Sequence, residues 1–220
     1  VRTVVTIGDD VNYSVWKNSD QLLNPSVISM DLMDGSSYDA SVKLQKVERS
    51  TVDNTLDALF YKKDKVRENY NELKLRFRTY DLIFRAYDAG VAYRFVSKSK
   101  APFKVKGEVA EFSFPEDWNA YVPYVRARAK GFENQFWNSF ENRYENLPMS
   151  SWDTERLAFL PLMVQSPQGY KINIMESDLT DYPGMYLYNS DGDSTLEAVF
   201  PRYPKDVEQG GHNMLQGVVK

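Results

Sequence analysis

The feature that most constrains this fold is an alternation of apolar and polar residues with a period of two. It is strict in residues 73–78, and residues 82–87 and 91–96 are two further strand-like stretches that follow turn residues. Successive side chains of a strand point to opposite faces of a sheet, so the alternation predicts strands with one buried face. Gly90 can adopt a left-handed conformation, which favours a tight loop after Asp88. The region therefore predicts a three-stranded antiparallel meander.

Strand-like stretches of the same kind continue along the chain at intervals of about 8–12 residues. They include residues 4–7, 12–16, 42–48, 108–114, 157–164, 170–176, 186–188 and 196–200. Gly, Pro and Asp residues separate them, which is typical of an antiparallel sandwich or barrel. Because no linker interrupts the pattern over 220 residues, we predict an all-β fold with minor α content, built as one large two-sheet antiparallel β-sandwich.

One region departs from this period. Phe132, Phe136, Phe140 and Tyr144 recur every four residues between positions 131 and 145. This spacing places the four rings on one face of a helix, so it predicts a short helix or a helical loop.

Composition excludes several kinds of chemistry. The chain has no Cys and one His, His212, which excludes thiolate sites, Ser-His-Asp triads and two-His zinc sites. The net charge of −4 argues against nucleic-acid binding. No apolar run approaches the roughly 20 residues of a membrane span. The chain begins at Val1 without a leader and ends without an obvious stop, so we expect a piece of a longer protein.

Two long strings of residues, 84–95 and 174–185, match a known family. Shorter matching pieces occur in order at residues 13–15, 22–26, 30–35, 69–73, 112–115, 118 and 161–162. On these residues the chain resembles the N-terminal domain of glycoside hydrolase family 97. The resemblance implies a galactose-mutarotase-like super-sandwich, which agrees with the strand pattern.

The resemblance also implies a function. In that family a (β/α)8 barrel carrying the catalytic carboxylates follows the sandwich, so this chain would be the non-catalytic N-terminal domain of a glycosidase for α-glucosides or α-galactosides. We expect a sandwich over residues 1–205 and a linker toward the barrel over 206–220. The partners would be that barrel and an oligosaccharide substrate, in the periplasm or secreted. The chain alone is expected to be inactive.

A calcium ion in the active site is a further implication of the resemblance. By position in the second string, Glu176 would supply one carboxylate ligand from the sandwich, and calcium prefers oxygen ligands of this kind. The alternative is that Glu176 is an ordinary outward residue of an alternating strand. Asp178 and Asp181 lie close by, but their spacing fits no calcium loop, and Asp181 has the position of a turn residue.

Other candidates have mainly structural interpretations. Arg85 and Arg94 would pair with acidic residues across strands or hold strand edges at the barrel interface. Trp118, Trp137 and Trp152 would pack at the rim or stack on sugar. The Asp191-Gly192-Asp193 sequence indicates a turn, because the rest of a calcium loop is absent.

Two further hypotheses remain open for the whole chain. One is a free-standing carbohydrate-binding sandwich that uses its 15 Tyr and 4 Trp residues as a sugar platform. The other is a purely structural module without a ligand. His212 is expected in the interdomain linker, where it would take no part in mutarotase-like chemistry.

Overall fold

A computed structural model describes residues 1–126, 130–177, 179–180 and 182–202, together with the backbone of residues 204–209 and 215–219. Antiparallel strands dominate these residues, and the helical content is two short 3₁₀ helices. The predicted all-β class is therefore confirmed. Contacts divide the chain into two compact units, Val1–Pro115 and Glu116–Lys220. The boundary predicted at residue 205 stays a prediction.

The first unit, described throughout, has two antiparallel sheets. Its strands are β1 (Arg2–Ile7), β2 (Val11–Lys17), β3 (Asp20–Leu32), β4 (Ser37–Tyr38), β5 (Leu44–Asp57), β6 (Lys65–Phe77), β7 (Tyr80–Ala86), β8 (Val91–Ser97) and β9 (Val105–Ser113). One sheet has the order β1–β2–β3–β9, with β4 beside β3, and the other has the order β5–β6–β7–β8. The predicted meander is thus β6, β7 and β8.

Aromatic rings join the two sheets of the first unit. The Tyr13 ring of β2 lies 5.8 Å from that of Phe84 on β7 and 5.6 Å from that of Tyr93 on β8. Near the other end, the Tyr80 ring stacks between Phe77, at 4.4 Å, and Tyr38, at 4.8 Å. Two sheets whose inner side chains interdigitate in this way form a β-sandwich.

The turn after Asp88 differs from the expectation in one detail. The Tyr87 amide donates a hydrogen bond of 2.8 Å to the Gly90 carbonyl, which closes the loop between β7 and β8. Gly90 itself has an ordinary φ, whereas Gly35, Gly131, Gly169 and Gly192 have positive values. The hairpin was predicted correctly, but the left-handed Gly90 was wrong, because this loop closes without that conformation.

The second unit combines short strands with irregular segments. Its strands are β10 (Asn119–Val122), β11 (Glu145–Pro148), β12 (Leu162–Gln165), β13 (Lys171–Ile174), β14 (Tyr186–Tyr188), β15 (Thr195–Val199), β16 (Pro204–Gln209) and β17 (Leu215–Val219). One sheet has the order β11–β10–β12–β13, and two further antiparallel pairs are β14–β15 and β16–β17. A core of Val125, Leu157, Phe159 and Tyr186 lies beneath the irregular segments.

The helix predicted between residues 131 and 145 is only partly correct. A 3₁₀ helix covers Phe132–Phe136, and Phe140 has a left-handed φ of 54° that no helix continues. The physical reason is Asn138, whose side chain donates to the Gln135 carbonyl at 2.9 Å and accepts from the Phe140 amide at 2.8 Å. These bonds replace the next helical turn, as Asn side chains commonly do.

Candidate functional site

Glu176 lies just beyond β13, two residues after the buried Ile174, at the start of the segment that leads to β14. Its side chain is half-buried. The neighbouring Met175 is 68% exposed, so the chain at this point still alternates between inner and outer faces. The strand that precedes Glu176 therefore delivers a carboxylate to the edge of the unit, partly shielded from water.

Among the described residues, one backbone group donates hydrogen bonds to this carboxylate. The Met185 amide donates to both oxygens, at 2.9 Å to Oε1 and 2.8 Å to Oε2. Gly184 lies alongside, since a Cβ built on it would be 3.5 Å from Oε1. The segment from Glu176 to Met185 thus returns to its own first residue, and this fixes the direction of the carboxylate.

The charge of Glu176 is poorly compensated. Burial raises the pKa of the carboxyl group, and the Met185 amide only partly opposes this. Within the part of the chain that the structure describes, no Lys or Arg forms an ion pair with Glu176. A half-buried carboxylate without a cation is an arrangement that a bound cation would stabilise.

A second polar group lies near Glu176. The Tyr186 hydroxyl accepts a hydrogen bond of 3.0 Å from Asn138 Nδ2. Burial raises the pKa of this hydroxyl, the Asn138 bond lowers it in part, and the charge of Glu176 raises it further. Tyr186 therefore stays a neutral phenol, and its side chain is buried.

Exposed apolar side chains occur in the two segments that carry Asn138 and Glu176. Phe140 is 56% exposed although it stacks on Tyr186 at 5.8 Å and meets Phe159 edge-on at 5.9 Å. Tyr144 is 47% exposed and its hydroxyl donates to the Pro161 carbonyl at 3.0 Å. Trp137, Met175 and Leu179 are also exposed. We call these five residues the apolar patch: Trp137, Phe140, Tyr144, Met175 and Leu179.

The metal-site prediction is not decided by this geometry. Among residues 1–126, 130–177, 179–180 and 182–202, no group of three acidic or His side chains lies close enough to hold a metal ion. Asp178, Asp181 and His212 lie outside the described residues. Glu176 thus stands as a single oriented carboxylate, and its role as a calcium ligand stays a prediction.

The two arginines beside the β7–β8 turn differ in their surroundings. Arg85 forms ion pairs with Glu72 at 2.9 Å and Glu68 at 3.8 Å, and its guanidinium lies 4.3 Å from the Tyr70 ring centroid. It is the cross-strand partner of acidic residues that the sequence suggested. Arg94 lies opposite Ile83 and is exposed.

The tryptophans separate by burial. Trp118 and Trp152 are each only 4% exposed, and Trp152 meets Tyr124 edge-on at 5.3 Å. These two belong to the interior of the second unit, so a sugar platform there is excluded. Trp137 is 42% exposed, so both packing at the rim and stacking on sugar stay predictions for it.

The Asp191-Gly192-Asp193 segment is a turn, as predicted. It joins β14 to β15 with Gly192 at a φ of 65°. The buried Asn189 donates to the Asp193 carbonyl at 2.8 Å and accepts from the Asp193 amide at 3.1 Å. The loop is thus closed by its own hydrogen bonds.

Sequence reasoning missed the surroundings of Glu176. The hydrogen bond from the Met185 amide to Glu176 has no signal in residue spacing. The hydrogen bond between Asn138 and Tyr186 has none either, because these residues are far apart in the chain. Met185 is the last residue of the second matching string, which was the one indication in the sequence that it belongs with Glu176. The exposure of Phe140 and Tyr144 was hidden by a pattern that suggested a helix face.

Comparison with known proteins places these features in a family. The family model described as Glycosyl-hydrolase 97 N-terminal matches residues 1–211. The chain belongs to this family. As a family 97 N-terminal domain it is 44% identical over 222 residues to a retaining alpha-galactosidase of Bacteroides thetaiotaomicron. That alignment covers 100% of this chain and 34% of the relative, so the chain spans about a third of the relative's length.

Solved structures share the fold of this family 97 domain. A glycoside hydrolase family 97 enzyme from Pseudoalteromonas sp. strain K8, in complex with acarbose, matches with a TM-score of 0.74 at 20% identity, covering 90% of this chain and 30% of that one. A beta-arabinopyranosidase matches with a TM-score of 0.76 at 22% identity, covering 99% and 36%. At these identities the likeness concerns the fold. No described helix is long and apolar enough to cross a bilayer.

Proposed function

We propose that this chain is the non-catalytic N-terminal domain of a larger glycosidase that acts on α-galactosides. The observation that carries the proposal is the match over the whole chain, at 44% identity, to a retaining alpha-galactosidase. Because this relative is named for α-galactosides, we favour the galactoside over the glucoside. Export of the longer protein to the periplasm or the medium is part of the proposal.

In the longer protein, Glu176 would supply one calcium ligand from this domain. The residues fit such a role in chemical type: the carboxylate is oriented by the Met185 amide, has its pKa raised by burial, and lacks a cationic partner among the described residues. Calcium takes six to eight oxygen ligands, so most of them must come from elsewhere. When bound, the ion would neutralise charge beside the sugar.

The apolar patch supports a docking surface for the catalytic domain. Phe140 and Tyr144 pack against their own unit through Phe159 and Tyr186 while about half of each side chain stays exposed. Exposed aromatic and Met side chains are typical of protein interfaces. Because Met175 and Leu179 belong to the segment of Glu176, a domain seated on them would bring its own groups close to that carboxylate.

The test uses the longer protein. Glu176→Gln keeps the size of the side chain and removes the charge, so hydrolysis of a nitrophenyl α-galactoside should fall by at least about tenfold, and the calcium concentration for half-maximal activity should rise. Glu116→Gln makes the same change of charge at an exposed position of the same unit and serves as the control. Activity and calcium dependence equal to those of the control would refute the ligand role.

The second candidate is a carbohydrate-binding module, favoured by the exposure of Trp137 and Phe140. Isothermal calorimetry of the chain with galacto-oligosaccharides separates the two. Binding that is lost in Trp137→Ala would support a sugar platform, whereas no heat with the chain alone, together with an active longer protein, would support domain docking.

A further inference from the structure

The β5–β6 hairpin extends beyond the sheet to which it belongs. β5 pairs with β6 from Leu44 to Asp57, but the pairing of β6 with β7 stops at Asn71, opposite Ala86. Residues 53–57 and 65–69 therefore form a ribbon that has no third strand among the described residues. At about 3.3 Å per residue, this ribbon projects about 16 Å from the sheet.

The ribbon ends in a short loop, residues 59–63, which we call the hairpin tip. The Ala58 amide donates to the Asp64 carbonyl at 2.8 Å and closes it. Leu59 is 82% exposed, Phe60 fully exposed and Tyr61 64% exposed. Phe60 has a φ of 64°, a left-handed conformation that a bulky residue rarely adopts. Three consecutive apolar side chains are thus presented to solvent at the end of a narrow arm.

Charge is distributed unevenly along the arm. In the ribbon, Arg67 donates two hydrogen bonds to Asp53, at 2.8 and 2.7 Å, and Lys65 lies 2.7 Å from Asp57. Lys62 and Lys63 follow the apolar residues and form no ion pair with the described residues. The Asp64 carboxylate stands at the base of the loop. The charged side chains of the ribbon are thus paired, Glu68 with Arg85 outside it, and the tip combines apolar and cationic side chains.

We propose that the hairpin tip inserts into the interface of an anionic lipid surface. Stable protein interfaces bury roughly 800 Å² on each partner, which three side chains on a narrow arm do not supply. A lipid interface closes around a small insertion, and Phe and Tyr rings suit its boundary. Lysines beside the insertion add attraction to anionic headgroups. The net charge of −4 on the whole chain opposes this attraction, so binding is weak, reversible and sensitive to salt.

The experiment measures co-sedimentation of the chain with phosphatidylcholine vesicles, with and without about a third of phosphatidylglycerol. We expect binding to the anionic vesicles only, decreasing with added salt. Phe60→Ser should lower the partition coefficient about tenfold, and Lys62→Glu with Lys63→Glu should lower it by a similar or larger factor. Phe60→Trp should show a blue shift of its fluorescence on anionic vesicles beyond that of the wild-type chain.

Matched controls lie on other loops of the same unit. Met33→Ser removes an exposed apolar side chain, and Lys100→Glu with Lys104→Glu makes the same change of charge at exposed positions. These variants should bind as the wild type does. Equal loss in the control variants, or no binding to anionic vesicles at low salt, would overturn the proposal. A dimer seen by ultracentrifugation without lipid and abolished by Phe60→Ser would also overturn it, and would assign the tip to a second copy.

Discussion

At the scale of single residues, Asp81 carries the most consequential charge of the first unit. Its side chain is 8% exposed, and Lys98 Nζ lies 2.9 Å and Lys74 Nζ 3.3 Å from its carboxylate oxygens. Burial alone would raise the pKa of Asp81, but the two ammonium groups outweigh it and hold the pKa below its ordinary value. The folded state therefore favours the ionised carboxylate.

This gives a prediction for the dependence of stability on pH. Because the pKa of Asp81 is lower in the folded state, its contribution to the free energy of unfolding is complete above the unfolded pKa of about 4 and is lost as the pH falls through the folded value. Urea unfolding at a series of pH values should show this loss, and Asp81→Asn should reduce it. An unchanged pH profile in the variant would contradict the prediction.

Removing the charge should also destabilise the protein at neutral pH. Asp81→Asn leaves two partly buried ammonium groups without their counter-ion, and we expect a loss of about 2 kcal/mol or more. Asp53→Asn breaks an ion pair with Arg67 that is open to solvent and should have a much smaller effect. Urea midpoints measured at pH 7 for the two variants test this difference.

At the scale of elements, β7 departs from the pattern that predicted it. Its five residues from Tyr80 to Phe84 are all buried, whereas a strand with one buried face would expose every second side chain. Lys74 lies directly opposite Ile83 on the neighbouring strand. Long cationic side chains can cover an apolar surface with their stems while their charged ends stay in water. The position of Lys74 therefore accounts for the burial of Ile83 on the face that the pattern assigns to solvent.

The central position of β7 predicts a large effect of truncation there. Leu82 is fully buried and pairs with Leu75 and Phe95 on the two adjacent strands. Leu82→Ala should lower the free energy of unfolding by about 2–5 kcal/mol. Val96→Ala, on β8 and 36% exposed, should lower it by about 1 kcal/mol or less. Equal urea midpoints for the two variants would contradict the prediction that burial in β7 contributes more to stability than the exposed position on β8.

At the scale of the whole molecule, the proposed function makes a prediction about the chain alone. Since Glu176 is the one carboxylate assigned to the metal, calorimetry of the isolated chain with calcium should give a dissociation constant weaker than about 1 mM. The chain should also fail to hydrolyse nitrophenyl α-galactosides. Hydrolysis that persists in Glu176→Ala would show that catalysis resides in this chain.

The amino-acid sequence was sufficient for the all-β class, the β6–β8 meander and the family, because alternation and turn residues are local and the two long strings are specific. It also indicated Glu176 through its position in a string. The three-dimensional structure was needed for the hydrogen bonds of Met185 to that carboxylate, the end of the helix at Phe136 and the projection of the β5–β6 hairpin. These depend on which distant segments meet, and the spacing of residues along a chain does not record that.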